Sequence, residues 1–239
     1  MNSSDRDCWA IVPAAGSGSR MGAALPKQYL PLGGRPLLCH TLQRLAAVEC
    51  IAGIVVALDD GDRRWRGIEP EIDKPLFTVA GGAERCHSVL NALEWLLARE
   101  RVPEWVLVHD AARPCVRVAD VERLVTILRG SQHGGLLGAP LSDTVKRAGS
   151  GGEVVATVER EGLWRAFTPQ MFRPEPLRDA IAAALGDGRL VTDEASAMEL
   201  AGYAPLLVEG SPDNIKVTRP ADLAMAEFLL RRQESGECA

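Results

Sequence analysis

The chain has 239 residues, 46% apolar and 25% charged, and its 27 Lys and Arg against 32 Asp and Glu leave a net charge of −5. That balance describes a globular protein able to bury a sizeable core; it excludes a disordered chain and argues against a dedicated nucleic-acid binder, which carries a basic excess. No run approaches the ~18 apolar residues of a membrane span, the first residues lack the basic-then-apolar build of a secretory signal, and six cysteines without a Cys-x-x-Cys pair read as reduced thiols in a cytoplasm.

In chain order, short β-branched runs alternate with helical patterns. Strands are expected over 9–13, 53–58, 76–80, 105–109 and 135–140, and helices over 36–48, 84–99 and 118–129. In the second helix Val89, Leu90, Leu93, Leu96 and Leu97 recur at intervals that make one apolar stripe, as a helix lying on a sheet requires. Alternation of this kind, with nearly continuous apolar strands, implies an α/β fold: a mostly parallel sheet with helices on both faces and ligands at the carboxyl ends of the strands. The pattern breaks over 141–167, where two β-rich arms flank the turn Gly149-Ser150-Gly151-Gly152 and predict a hairpin standing off the sheet. A lone hairpin is marginal in water, so a second subunit is a natural surface for it to pack on. Alternation then resumes, with helices near 174–185 and 193–201, strands near 205–208 and 214–217, and a closing helix over 219–232 that has Pro220 in its first turn and Arg231-Arg232 in its last.

The strongest local signal follows the first strand: Pro13-Ala14-Ala15-Gly16-Ser17-Gly18-Ser19-Arg20-Met21-Gly22. Such a loop lets backbone N–H groups converge on an anion without interference from Cβ atoms. No Gly-Lys-Ser/Thr closes it, and Met21 stands where a dinucleotide fingerprint needs its third glycine. From Cys8 to Val48 there is no acid to hold a ribose, which disfavours an NAD-dependent oxidoreductase. The same stretch carries Arg20, Lys27, Arg35 and Arg44, a local charge of +4 in an acidic chain, and such a patch attracts a polyphosphate. A plain strand-to-helix turn with solvated bases nearby is the competing reading, and the missing acids together with Pro26-Lys27-Gln28-Tyr29 weigh against it.

Three further stretches could carry chemistry. In Val108-His109-Asp110-Ala111-Ala112-Arg113-Pro114 the carboxylate lies just beyond an apolar strand, where it could meet a phosphate-bound Mg²⁺, and Arg113 could pair with a second phosphate. Gly81-Gly82-Ala83-Glu84-Arg85-Cys86-His87-Ser88 ends a strand and opens a helix; its glycines permit close backbone approach, Ser88 could bond a base or sugar, and Cys86 and His87 diverge as helix neighbours. Late in the chain, Thr192-Asp193-Glu194-Ala195 reads as a helix start, Lys216 as a second cationic contact and Asp213 as a weak second metal carboxylate.

Taken together and in order, these motifs resemble the 2-C-methyl-D-erythritol 4-phosphate cytidylyltransferase family over about residues 9–232. The resemblance implies one Rossmann-like nucleotidyltransferase domain over 1–239, with a protruding β-arm at 140–163 through which a homodimer forms. It also implies the third step of the non-mevalonate route to isoprenoids: CTP and 2-C-methyl-D-erythritol 4-phosphate give the CDP-alcohol and pyrophosphate, with no enzyme nucleophile and with in-line attack at phosphorus. By this likeness Arg20 and Lys27 stabilise charge on the α-phosphate. Pro13, Ala14, Ala15, Gly16, Gly18, Gly82 and Ser88 hold the nucleotide, and Asp110 lies by Mg²⁺. Arg113, Thr144, Arg160, Thr168, Thr192 and Lys216 surround the second substrate, with Arg160 and Lys216 orienting its phosphate. Because Thr144 and Arg160 fall on the arm, they are expected to serve the neighbouring subunit's site. Ala83 stands where relatives often carry Asp. A ribitol 5-phosphate cytidylyltransferase is the alternative within the class and a nucleotide-sensing module the alternative outside it; the chain end soon after the last helix suggests no fused downstream enzyme.

Overall fold

The computed structural model describes residues 8–16, 25–68 and 70–236. β1 (Cys8–Pro13) opens the chain, and a 3-10 turn (Lys27–Tyr29) leads into a small hairpin of β2 (Pro31–Leu32) and β3 (Arg35–Pro36). Gly33 and Gly34 make its two-residue turn at φ of 56° and 81°, a left-handed conformation in which a Cβ would be strained. Then come α1 (Leu37–Ala46), β4 (Ile51–Leu58), β5 (Leu76–Ala80), α2 (Arg85–Leu97), β6 (Trp105–Val108), α3 (Val118–Leu128) and β7 (Gly135–Pro140). The second half holds β8 (Val145–Ala148), β9 (Val154–Val158), β10 (Trp164–Phe172), α4 (Pro174–Gly186), α5 (Glu194–Leu200), β11 (Leu206–Glu209) and α6 (Pro220–Glu234).

Seven strands form one sheet in the order β11-β7-β10-β6-β1-β4-β5, with every neighbouring pair parallel except the two that β10 makes with β6 and β7. Strand alternation sorts the core into two layers. Cys8, Ala10 and Val12 of β1 pack with Leu38, Leu42 and Leu45 of α1 and Val121 and Leu124 of α3. Ile11 points the other way, into Val89, Leu93 and Leu96 of α2 and Leu177 and Ile181 of α4. Helices therefore cover both faces, and the strands read as continuous apolar runs because they are buried on both sides. A third cluster joins α6, through Ala226, Leu229 and Leu230, to Leu30, Leu32, Leu37 and Cys115.

The strands expected from the sequence are β1, β4, β5, β6 and β7, with ends within two residues. Two expectations are corrected. The off-sheet hairpin does not run to 167: β8 and β9 form its separate two-stranded sheet, paired from Val145↔Val158 to Ala148↔Val154. From Trp164 onward the chain is β10, wedged antiparallel into the central sheet. The strand expected near 214–217 is an extended loop, because its backbone bonds go elsewhere: the Val217 N–H donates to Ala112 O at 2.8 Å, and Asn214 O accepts from the Arg113 side chain at 2.6 Å.

Candidate active site

The sheet order reverses at β1: β4 and β5 extend to one side and β6 lies on the other. Crevices at the carboxyl ends of strands at such a switch point are where open α/β sheets bind ligands. The loops after β1 and β6 flank this one, and the loop between β5 and α2 closes its far wall.

The walls are set by backbone fit. After β1 the Ala14 N–H donates to Ala57 O at 2.8 Å, and buried Gln28 donates from Nε2 to Ala14 O at 2.7 Å, so the start of the glycine loop is pinned from both sides. Opposite it, a Cβ on Gly81 would lie 2.4 Å from the Ala15 Cβ, and one on Gly82 would lie 2.3 Å from the His87 Cβ. Only glycine lets these chains pass so closely. Ser88 is buried and its hydroxyl is committed locally, accepting from the Gly82 N–H at 3.0 Å and donating to Glu84 O at 3.3 Å. It shapes the Gly82 turn as well as lining the cleft. Cys86 and His87 do diverge: Cys86 is buried, while His87 Nδ1 accepts from the Glu84 N–H at the start of α2.

Asp110, two residues past the end of β6, is the electrostatic centre. Its Oδ1 accepts from Arg85 Nε at 2.9 Å, and its Oδ2 meets Lys216 Nζ at 2.8 Å and Arg113 Nε at 3.3 Å. Burial alone would raise its pKa, but Arg85, Lys216 and Arg113 hold the carboxyl well below the usual carboxylate range. Arg85 also makes a bidentate pair with buried Glu194 at 2.6 and 3.0 Å, which keeps the guanidinium charged against its own burial. Behind Asp110, Thr168 Oγ1 accepts the Asp110 N–H at 3.0 Å and lies 3.0 Å from Nδ1 of fully buried His109, whose Nε2 lies 3.0 Å from Arg113 O. One proton arrangement satisfies all three contacts: the threonine hydroxyl donates to Nδ1, and Nε2–H donates to the carbonyl. His109 is thus neutral, and burial pushes its pKa down to about 4.

Two cavities adjoin here. The larger, about 490 Å³, is bordered by Pro13 to Gly16, Lys27, Gln28, Gly82 to Arg85, Ser88, Asp110, Lys216 and Thr218. The smaller, about 170 Å³, is bordered by Arg113, Phe167, Thr168, Gln170, Thr192 and Asp193. Arg85, Asp110 and Lys216 face both. The residues expected from sequence at Pro13, Ala14, Ala15, Gly16, Lys27, Gly82, Ser88 and Asp110 therefore meet in the first cavity, and Arg113, Thr168, Thr192 and Lys216 in the second. Gly18 and Arg20 lie outside the described residues. Thr144 and Arg160 are exposed on the hairpin and border neither cavity; Arg160 donates to Ser142 O. Asp213 is paired with Arg117 at 2.6 Å and also stands outside both linings. Sequence reasoning missed the structural weight of Arg85 and Glu194. Both sit inside quoted motifs, but their signal is a bidentate contact across 109 positions.

Among the described residues, neither lining includes a Cys or His side chain. A site of this make-up can grip and align two phosphate groups while leaving the nucleophile to a substrate, and that chemistry on this sheet places the chain among the nucleotidyltransferases. Comparison with known proteins narrows the class. The family model for 2-C-methyl-D-erythritol 4-phosphate cytidylyltransferase matches residues 8–232. The enzyme of that name from Hahella chejuensis is 51% identical over 94% of this chain and 93% of its own, and that from Xanthomonas axonopodis pv. citri is 52% identical over 95% and 86%. A crystal structure of a 4-diphosphocytidyl-2C-methyl-D-erythritol synthase superposes with a TM-score of 0.82 at 36% identity, covering 94% of this chain and 98% of that one. The Francisella tularensis 2-C-methyl-D-erythritol 4-phosphate cytidylyltransferase gives 0.78 at 35%, covering 93% and 99%.

The chain belongs to the 2-C-methyl-D-erythritol 4-phosphate cytidylyltransferase family. It is a cytidylyltransferase that takes CTP and 2-C-methyl-D-erythritol 4-phosphate as substrates, and the ribitol 5-phosphate alternative is not favoured. Among the described residues no helix is long and apolar enough to cross a membrane.

Proposed function

We propose that the larger cavity holds CTP and the smaller one the phosphate end of methylerythritol phosphate, so that a phosphate oxygen of the second substrate attacks the α-phosphorus of the first in line with the departing pyrophosphate. The observation that carries this reading is the shared wall: Arg85, Asp110 and Lys216 border both cavities, so both phosphates reach one charged boundary. The bond from the attacking oxygen to the α-phosphorus forms as the bond to the β-phosphate oxygen breaks, and pyrophosphate carries away the electron pair.

In this reading Ala15 and Gly16 at the start of the loop after β1 border the triphosphate, and Lys27, with Arg20, offsets charge that grows on the α-phosphate as it is attacked. A well-placed donor to developing charge lowers a barrier by about 3–4 kcal/mol. Arg113, Thr168, Thr192 and Lys216 orient the second phosphate. Ala83 offers no polar side chain to the cytosine, so recognition there rests on backbone groups.

Mg²⁺ is proposed as the cofactor, and Asp110 is the residue that would hold it. Mg²⁺ in nucleotide enzymes is commonly bound by one or two carboxylates plus substrate phosphates and water, and Asp110 is ionised with an Oδ1 that accepts only one observed contact. Among the described residues no cluster of three or more His, Cys, Asp and Glu could hold a metal unaided, which fits a site completed by the triphosphate. When bound, the ion would neutralise phosphate charge.

The arm over 140–163 is proposed to build a homodimer and to carry Thr144 and Arg160 to the partner's second cavity. Their exposure on the segments flanking a separate two-stranded sheet, outside both cavities of their own subunit, supports this reading. Action in the cytoplasm is the proposed location. The direct test of the displacement uses CTP made chiral at the α-phosphorus with sulfur: inversion in the product is expected of one in-line step, and retention would mean a covalent enzyme intermediate and overturn the mechanism.

A further inference from the structure

At the opposite end of the sheet from the cleft, two thiols meet. Cys8 begins β1, five residues and so about 17 Å of strand from Pro13. It pairs in register with Ile51 of β4, and Cys50, the residue before that strand, accepts the Cys8 N–H through its carbonyl at 3.4 Å. Both side chains fall in the same core layer, and neither is in a disulfide. Cys8 is fully buried, whereas Cys50 is 9% exposed and forms part of the wall of a separate cavity of about 250 Å³. Glu49, Glu122, Val125, Thr126 and Arg129 complete that lining.

We propose that Cys8 and Cys50 form a peroxide-responsive dithiol, with Cys50 as the attacked thiol, the cavity beside it as the entry for a small hydroperoxide, and Cys8 as the resolving thiol. The Cys8 side chain is the largest influence drawing the Cys50 thiol below its ordinary pKa; burial opposes it, and Arg129 and Lys74 add to the lowering. Low thiol pKa, an access route and an adjacent second thiol are the features that separate redox-active from inert cysteines. Cys39 and Cys115 are buried thiols whose pKa is instead raised by that burial.

The chemistry balances with the hydroperoxide as the sole oxidant. The Cys50 thiolate attacks one peroxide oxygen; the S–O bond forms, the O–O bond breaks, and the released hydroxide takes a proton as water. Cys8 sulfur then attacks the Cys50 sulfenic acid; the S–S bond forms, the S–O bond breaks, and hydroxide leaves with the Cys8 proton as a second water. The two cysteines lose two electrons, and hydrogen peroxide gains them.

The test treats the reduced full-length enzyme with equimolar hydrogen peroxide, alkylates the remaining thiols and maps peptides without reduction. The expected result is a Cys8–Cys50 linked peptide, reversed by dithiothreitol, with Cys39, Cys86 and Cys115 still alkylated. In Cys8→Ser the reaction is expected to stop at a sulfenic acid on Cys50 that dimedone traps. Oxidation at other cysteines, with Cys8 and Cys50 both still open to alkylation after denaturation, would overturn the proposal. Because the decisive map is made on the unmutated enzyme, it stands even if a serine variant fails to fold.

Discussion

At the scale of single residues, the site is a balance of charges around Asp110, and two side chains expose how it works. Lys27 lines the larger cavity at half burial, and its assigned role is to meet charge that exists only as the α-phosphate is attacked. Lys27→Ala is therefore expected to keep the melting temperature close to that of the unmutated enzyme while turnover falls roughly 10²- to 10³-fold. A kcat near the unmutated value would remove that role. His109 supplies a pH signature. Its folded pKa of about 4 lies below an unfolded value of about 6.5. Between those values the unfolded chain binds the extra proton, so stability is full above about pH 6.5 and declines as pH falls toward 4, by up to about 3 kcal/mol. Asp110 acts in a lower window: its depressed pKa contributes stability above the unfolded carboxylate value of about 3.9 that is lost as acid protonates it. His109→Gln, which can still span Thr168 and Arg113, is expected to flatten the dependence between pH 6.5 and 4. Urea melts at several pH values check this, and an unchanged slope would contradict a neutral buried imidazole.

At the scale of elements, the parallel core was legible because strands buried on both faces read as apolar runs, and helices such as α2 carry a single stripe. The glycine loop and Asp110 were legible for the same reason, since each follows directly on such a strand. β10 was not. Its sequence includes Arg165, Thr168, Pro169 and Gln170, and its register with β7 shifts between Ala166 and Gln170, so no simple alternation marks it. Those irregular positions are also functional: Thr168 supports Asp110, and Gln170 accepts the Ala195 N–H and donates to Asp193. The stretch 214–217 looked like a strand because Ile215 and Val217 alternate with polar residues, yet its partners are the loop after β6 and the Arg113 side chain. The hairpin is the element whose role is most separable from the core. Val154 and Val155 are 66% and 61% exposed on β9, an apolar surface suited to burial against another chain. Replacing 142–162 with a short link from Leu141 to Leu163, whose backbones already bond at 3.0 Å, is expected to leave the central sheet folded but give a monomer with severely reduced activity. Sedimentation together with circular dichroism reads both effects, and a dimer that survives the deletion would place the interface elsewhere.

At the scale of the whole molecule, the net charge of −5 conceals an uneven distribution: residues 8–48 carry +4 and the rest of the chain −9. The fold carries Lys27 from the basic stretch to the cleft and adds Arg85, Arg113 and Lys216 from three distant segments, with Asp110 and Glu194 holding those last three cations in place. A cleft so charged suits nucleotidyl transfer between two anions. The most direct measurement is pyrophosphate release by the purified chain with CTP and Mg²⁺, in the presence and absence of 2-C-methyl-D-erythritol 4-phosphate. Release that requires the alcohol phosphate, matched one to one by the CDP-alcohol, is the predicted result; no release with both substrates, or equal release from CTP alone, would contradict the account.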